Sequence, residues 1–344
     1  MQTNLLQNIS SIRRSAPDSA MRSNHPFSMP IGPKDFVTIA SRSDSGTKAV
    51  TVAPALAPRA FMEKLLGGDS ITRILVPEHT FSSPTKMKIT YYAGNIVGKE
   101  GIHDTKVRPF RLPLPEILDV ATRFLADGFG REVPVFGFVD EGNDRVTILS
   151  SRVYGPNLQD LLSYGQPQLS PQAKENIWYR YGKLEGRFFE SGIAVHQSSN
   201  QHQPINYMLG VDSRDSGVAE LIPRLENRKT SAELMQQLLF SPEARAMLFM
   251  IDIDSVQTKL CPQVSAEKFL EFVRDRIDTI GADMKERDFD SYVRGVLSGW
   301  AGGELDANDK AVRELVDALR RNWSESPALR ERIAGGTEFL GPEY

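Results

Sequence analysis

The chain has 344 residues, of which 40% are apolar and 25% charged, enough for one large domain or two modest ones with a real core. Its net charge of −3 gives no ground for a nucleic-acid or membrane-surface partner, and no apolar run approaches the roughly 18 residues of a membrane span. The single cysteine, Cys261, excludes an internal disulfide and an all-thiol metal site, in keeping with a reducing compartment such as the cytoplasm.

Residues 1–60 are rich in Ser, Pro and Arg and contain no Glu. Pro26, Pro30, Pro33, Pro54 and Pro58 break any long helix. This composition predicts a mostly extended or disordered arm. Three roles fit it: a plain tail, an organelle transit peptide, or the export signal of a secreted bacterial effector.

A compact region begins near Phe61. Ile71–Val76, Lys88–Tyr92 and Ile96–Glu100 are predicted strands on their β-branched and aromatic content. Pro115–Ala126 is a predicted helix, with Ile117, Val120, Ala121, Phe124 and Leu125 at helical spacing and Gly128 beyond its end. Val133–Val139 and Arg145–Leu149 form a predicted hairpin around the turn Glu141-Gly142-Asn143-Asp144. The strand running through Ile148 passes into a turn and a short helix near Leu158.

The second half is mostly helical. Predicted helices cover Asn176–Glu190, Ser231–Leu239, Glu243–Met247, Ala266–Ile280, Phe289–Gly299 and Asn308–Trp323. There is no internal repeat and no sustained heptad run.

Two segments carry the chemistry. In Met247-Leu248-Phe249-Met250-Ile251-Asp252-Ile253-Asp254 a carboxylate follows an apolar strand. An unpaired buried charge is costly, so Asp252 either ends the strand in solvent, pairs with an Arg, or holds a cation such as Mg²⁺. Asp254 alternates with it. The loop Gln201-His202-Gln203-Pro204-Ile205-Asn206 precedes a second apolar strand, Tyr207–Leu209. Two lysines lie on neighbouring predicted strands, Lys99 on Ile96–Glu100 and Lys88 on Lys88–Tyr92. Gly67-Gly68 is the nearest approach to a glycine-rich phosphate loop. The five histidines lack metal-site spacing, and neither a Gly-x-Ser-x-Gly elbow nor a Walker loop occurs.

In order and type, these segments resemble the protein-kinase-like superfamily, nearer its aminoglycoside phosphotransferase branch than the eukaryotic protein kinases. Pro204 two before Asn206, with an apolar strand after it, matches that branch, and the resemblance covers about 70–280. It implies an α+β, two-lobed fold: a small β-rich N-lobe over 61–153 and a larger helical C-lobe over 154–344, with an insertion at about 210–246 and ATP between the lobes. It implies Lys99 on the phosphates, with Lys88 as runner-up and Glu116 as the carboxylate partner, and Asn206, Asp252 and Asp254 as Mg²⁺ ligands. One departure matters: relatives carry a catalytic Asp five residues before the Asn, and here that residue is Gln201. Gln201 can orient a hydroxyl but cannot accept a proton, which leaves His196 and His202 as candidate bases. The resemblance therefore implies either an atypical transferase acting on a protein or small-molecule hydroxyl, or a pseudokinase that serves as a binding or scaffold module. A secreted interaction protein without nucleotide is the third reading.

Overall fold

A computed structural model describes residues 36–44, 46–82, 88–102, 132–142, 145–162, 169–190, 193–195, 206–215, 217–226, 228–240, 246–251, 258–260, 265–280, 284–306 and 308–325. Its strands in chain order are β1 Val37–Ser43, β2 Gly46–Val52, β3 Pro77–Ser82, β4 Lys88–Tyr92, β5 Ile96–Ile102, β6 Val135–Gly142, β7 Arg145–Ser151, β8 Val153–Tyr154, β9 Ile193–Val195, β10 Tyr207–Asp212, β11 Met247–Met250 and β12 Thr258–Leu260. The α-helices are α1 Arg59–Leu66, α2 Ile71–Ile74, α3 Leu158–Leu162, α4 Pro171–Glu190, α5 Ile222–Glu226, α6 Arg228–Leu239, α7 Ala266–Ile280, α8 Glu286–Ala301 and α9 Lys310–Ser324. The chain is thus mixed α+β with mostly antiparallel strands, and it divides into two compact units. One comprises His25–Leu169 and Pro204–Lys259, and the other comprises Met1–Asn24, Ser170–Gln203 and Leu260–Tyr344.

The strand-rich unit is built on a seven-stranded sheet of order β1-β2-β6-β7-β5-β4-β3, antiparallel at every step. Residues paired across an antiparallel ladder share a face. Val52, Gly137, Leu149 and Gly98 therefore lie on one face, and Phe138, Ile148, Lys99 and Ile89 on the other. The first face is closed by α1 and α2: Phe61, Met62, Leu65, Ile71 and Ile74 pack with Val50, Val52, Ile96 and Leu149 into one core. Phe61 meets Phe136 edge-on at 5.3 Å between centroids. A second, smaller sheet has the order β11-β10-β8.

Three expectations are corrected here. Residues 36–60 are not an extended arm. β1 and β2 complete the sheet, and Val50, Val52 and Ala53 are fully buried. The prolines in this stretch that the structure describes, Pro54 and Pro58, fall after β2 and at the start of α1, where a missing N–H costs nothing. Ile71–Val76 does not form a strand: Ile71 and Ile74, three apart, turn one helical face onto the core, and burial overrides β-propensity. Met247 opens strand β11 and not the end of a helix. The predicted helix 115–126 lies outside the described residues.

The helical unit turns on the crossing of α4 and α8. Gly182 and Gly186 on α4 face Gly295 and Gly299 on α8. A Cβ on any of the four would sit within 3.0 Å of the partner helix's backbone, against Tyr292, Val296, Tyr179 or Lys183. Four glycines at four-residue spacing thus let two helix backbones touch, which no side chain permits. Around the crossing, Trp178, Tyr181 and Tyr292 form an aromatic cluster. Tyr292 Oη donates to the buried Glu185 Oε2 at 2.6 Å. Trp300 stacks on Phe269 of α7 at 4.2 Å, and Phe289 on Trp323 of α9 at 4.8 Å. Helix α4 starts earlier than its periodicity predicts, because Ser170 Oγ accepts from Ala173 N at 3.2 Å and Pro171 takes the first turn.

Candidate functional site

The strand-rich unit holds the described candidates. Lys99 sits mid-strand on β5, paired with Ile89 and Ile148, half-buried on the face opposite α1 and α2. The runner-up Lys88 is engaged elsewhere, 3.3 Å from Glu100, which also pairs with Arg145. Gly67 and Gly68 are a helix stop. Gly68 N donates to Leu65 O and Asp69 N to Lys64 O, and Gly68 has φ +85°, the left-handed turn that ends α1. That arrangement satisfies the last carbonyls of α1 and leaves no phosphate loop there.

Asn206 stands at the mouth of the β10–β11 hairpin. The register pairs Tyr207 with Met250, Met208 with Phe249, Leu209 with Leu248 and Gly210 with Met247. One step beyond, Ile251 N donates to Asn206 O at 3.0 Å. Asn206 thus lies beside the residue that immediately precedes Asp252. Two segments more than forty positions apart are joined at this point by strand pairing alone. Further bonds fix the hairpin: Met250 N to Glu132 O at 2.8 Å and Leu209 N to Pro156 O at 3.1 Å. Tyr207, Leu209, Phe249 and Met250 are buried. Asp252, Asp254, Gln201, His196, His202 and Glu116 lie outside the described residues.

At the opposite end of β10 stands a carboxylate that the sequence reading missed. Asp212 follows the apolar run Tyr207–Val211 just as Asp252 follows Leu248–Ile251, and it is buried. Ser151 Oγ donates to its Oδ2 at 3.0 Å, Arg214 N to its Oδ1 at 2.9 Å, and the Arg214 guanidinium bridges both oxygens. Arg214 Nη1 also donates to Leu56 O at 2.5 Å. Asp212 is therefore a structural anchor, and its signal in the sequence was the arginine two residues on.

A third polar group lies beside the sheet. Arg152, between β7 and β8, places its guanidinium 4.7 Å from the centroid of the Tyr91 ring and 4.6 Å from that of Tyr154. Its Nη2 donates to Glu226 of α5 at 2.7 Å. Tyr154 Oη donates to Asn95 Oδ1 at 2.6 Å, and burial pushes this phenol's pKa up against the opposing field of Arg152.

No family model matches this chain, and no curated protein does.

Proposed function

We propose that the strand-rich unit binds a magnesium nucleotide in a kinase-like manner, and that the protein transfers a phosphoryl or nucleotidyl group to a hydroxyl on a protein or small molecule. The supporting observation is the register of the β10–β11 hairpin, which brings Asn206 next to the residue preceding Asp252. An amide oxygen and a carboxylate are hard donors of the kind Mg²⁺ takes alongside phosphate oxygens and water. The sheet order supports the same reading, because it sets Lys99 in mid-sheet on the face free of α1 and α2. Group transfer of this type rests on positioning and charge stabilisation. In this scheme Lys99 neutralises phosphate charge and Glu116 holds its ammonium. Asn206 and Asp252 hold the cation, with Asp254 as a further carboxylate, and Gln201 orients the acceptor hydroxyl. The cation, when bound, offsets negative charge that develops on the phosphates. His196 and His202 are the candidate proton acceptors.

Gln201 favours a second reading. With a residue that cannot take a proton where relatives carry Asp, the same site serves as a nucleotide-responsive binding module, a pseudokinase.

Thermal denaturation with ATP, with and without Mg²⁺, tests the common core of both readings. Saturation at 100 times the dissociation constant stabilises the fold by about 2.7 kcal/mol. Asp252→Ala is expected to remove the Mg²⁺-dependent part of that shift and leave the apo melting temperature nearly unchanged. A full shift in the variant defeats the assignment. Transfer of labelled phosphate or nucleotide separates the readings: Gln201→Asp keeps or raises the rate of an enzyme, whereas silence in both wild type and variant leaves the binding module.

A further inference from the structure

The geometry points to Arg152 as a plug at the base-binding end of this nucleotide site, latched by Glu226. The inference rests on the assignment of Lys99 given above. Tyr91 pairs with Val97, two residues before Lys99 on β5, so the Tyr91 ring stands on the same sheet face as Lys99. Two residues along a strand span about 7 Å, within a nucleotide's length of the lysine. A ring at that separation from a phosphate-binding cation is where a planar base stacks, and such stacking tolerates any base.

In this structure the Arg152 guanidinium lies against that ring, between Tyr91 and Tyr154. A guanidinium is planar and stacks on aromatic faces much as a base does, so the two compete for Tyr91. The backbone of Arg152 is fixed on both sides, its N donating to Asn95 O at 2.8 Å and its O accepting from Ser213 N at 2.9 Å. The side chain is held by Glu226, at the end of α5, in the segment between β10 and β11 that the sequence reads as an insertion. The inserted segment thus supplies the latch. Side-chain exposures of 27% for Arg152 and 50% for Glu226 make this a solvent-accessible pair, weak enough to open. Opening swings the guanidinium away from the Tyr91 ring, which keeps Phe81 stacked beside it at 5.9 Å between centroids, and any partner that engages Glu226 favours the open state.

The test is equilibrium binding of Mg²⁺-ATP and of Mg²⁺-tripolyphosphate, which has no base, to the full chain. Arg152→Ala is expected to bind ATP about tenfold more tightly, which is about 1.4 kcal/mol, with tripolyphosphate unchanged. Glu226→Gln moves ATP affinity in the same direction by less, and it carries the test if Arg152→Ala does not fold. Tyr91→Ala cancels the gain in the Arg152→Ala background. Equal or weaker ATP binding by Arg152→Ala overturns the plug, and so does an equal gain for tripolyphosphate, which would be an effect of charge and not of a base slot. Binding that depends on Lys99 and Asp252 but not on Arg152 sinks the plug alone. If neither wild type nor Arg152→Ala binds nucleotide, the plug and the nucleotide site fall together.

Discussion

The α4–α8 crossing and the β10–β11 hairpin solve opposite problems. At the crossing, Gly182, Gly186, Gly295 and Gly299 bring two backbones into contact and leave no room for a single added carbon. The hairpin has buried side chains along its length, but its ends are polar: Asp212 is bound into Ser151 and Arg214 at one end, and Asn206 with Ile251 forms the other. One region therefore gains rigidity from the absence of side chains. The other gains it from a charged anchor at one end, while the bond from Ile251 N to Asn206 O closes the far end.

The comparison is open to attack first at the crossing. Gly186→Leu places a branched side chain on the backbone of α8 at Val296, and neither helix can retreat without opening the aromatic cluster around Trp178 and Tyr292. Overpacking of this kind costs about 3 kcal/mol or more. The expected outcome in denaturant titration is loss of the helical unit's cooperative transition. A variant that unfolds like the wild type would mean that the helices slide freely. Asp212→Ala ranks second. It leaves the part-buried Arg214 without its carboxylate, which places the cost at the lower end of the range for broken buried pairs, about 3 kcal/mol. Hydrogen exchange should show the strands β8, β10 and β11 losing protection before the α4–α8 pair, and simultaneous loss would show that the two units unfold as one.

The smallest effect concerns the rim of the crossing. Tyr179 on α4 donates to Glu304, which Lys183 also contacts. Burial first, and then the bond to Glu304, push the Tyr179 phenol up to about 12. A phenol whose folded pKa lies above its unfolded value of 10 supplies stability that is complete below pH 10 and is lost as pH rises toward 12. Ultraviolet titration of tyrosinate in Glu304→Gln should show this phenol ionising at lower pH than in the wild type, yet still above its usual value because burial persists. An unchanged titration would assign the shift to burial alone.

Much of the fold was legible in the chain wherever a period repeated long enough to outweigh local preference. Phe269, Phe272, Val273 and Ile277 are in helical step, and α7 covers Ala266–Ile280 as that step predicts. Lys88–Tyr92 likewise forms β4 with the predicted bounds. The Schellman turn at Gly67-Gly68 was visible as glycine but ambiguous in purpose, since the same residues end helices and cradle phosphates.

Of the candidate site, the sequence by itself determined the residue types and their neighbours along the chain: Lys99 on a strand, Gln201 in the stretch before Asn206, Asn206 before one apolar run and Asp252 after another. Only the tertiary structure decided which of these meet. Strand register is set by burial on one face, and that carried Ile251 to Asn206 across the long segment between β10 and β11. The same burial drew Val37–Ser43 and Gly46–Val52 into the sheet as β1 and β2: their β-branched apolar residues alternate, but it was the core around Val50 and Val52 that set this short pattern above the Ser- and Pro-rich composition of the flanking chain.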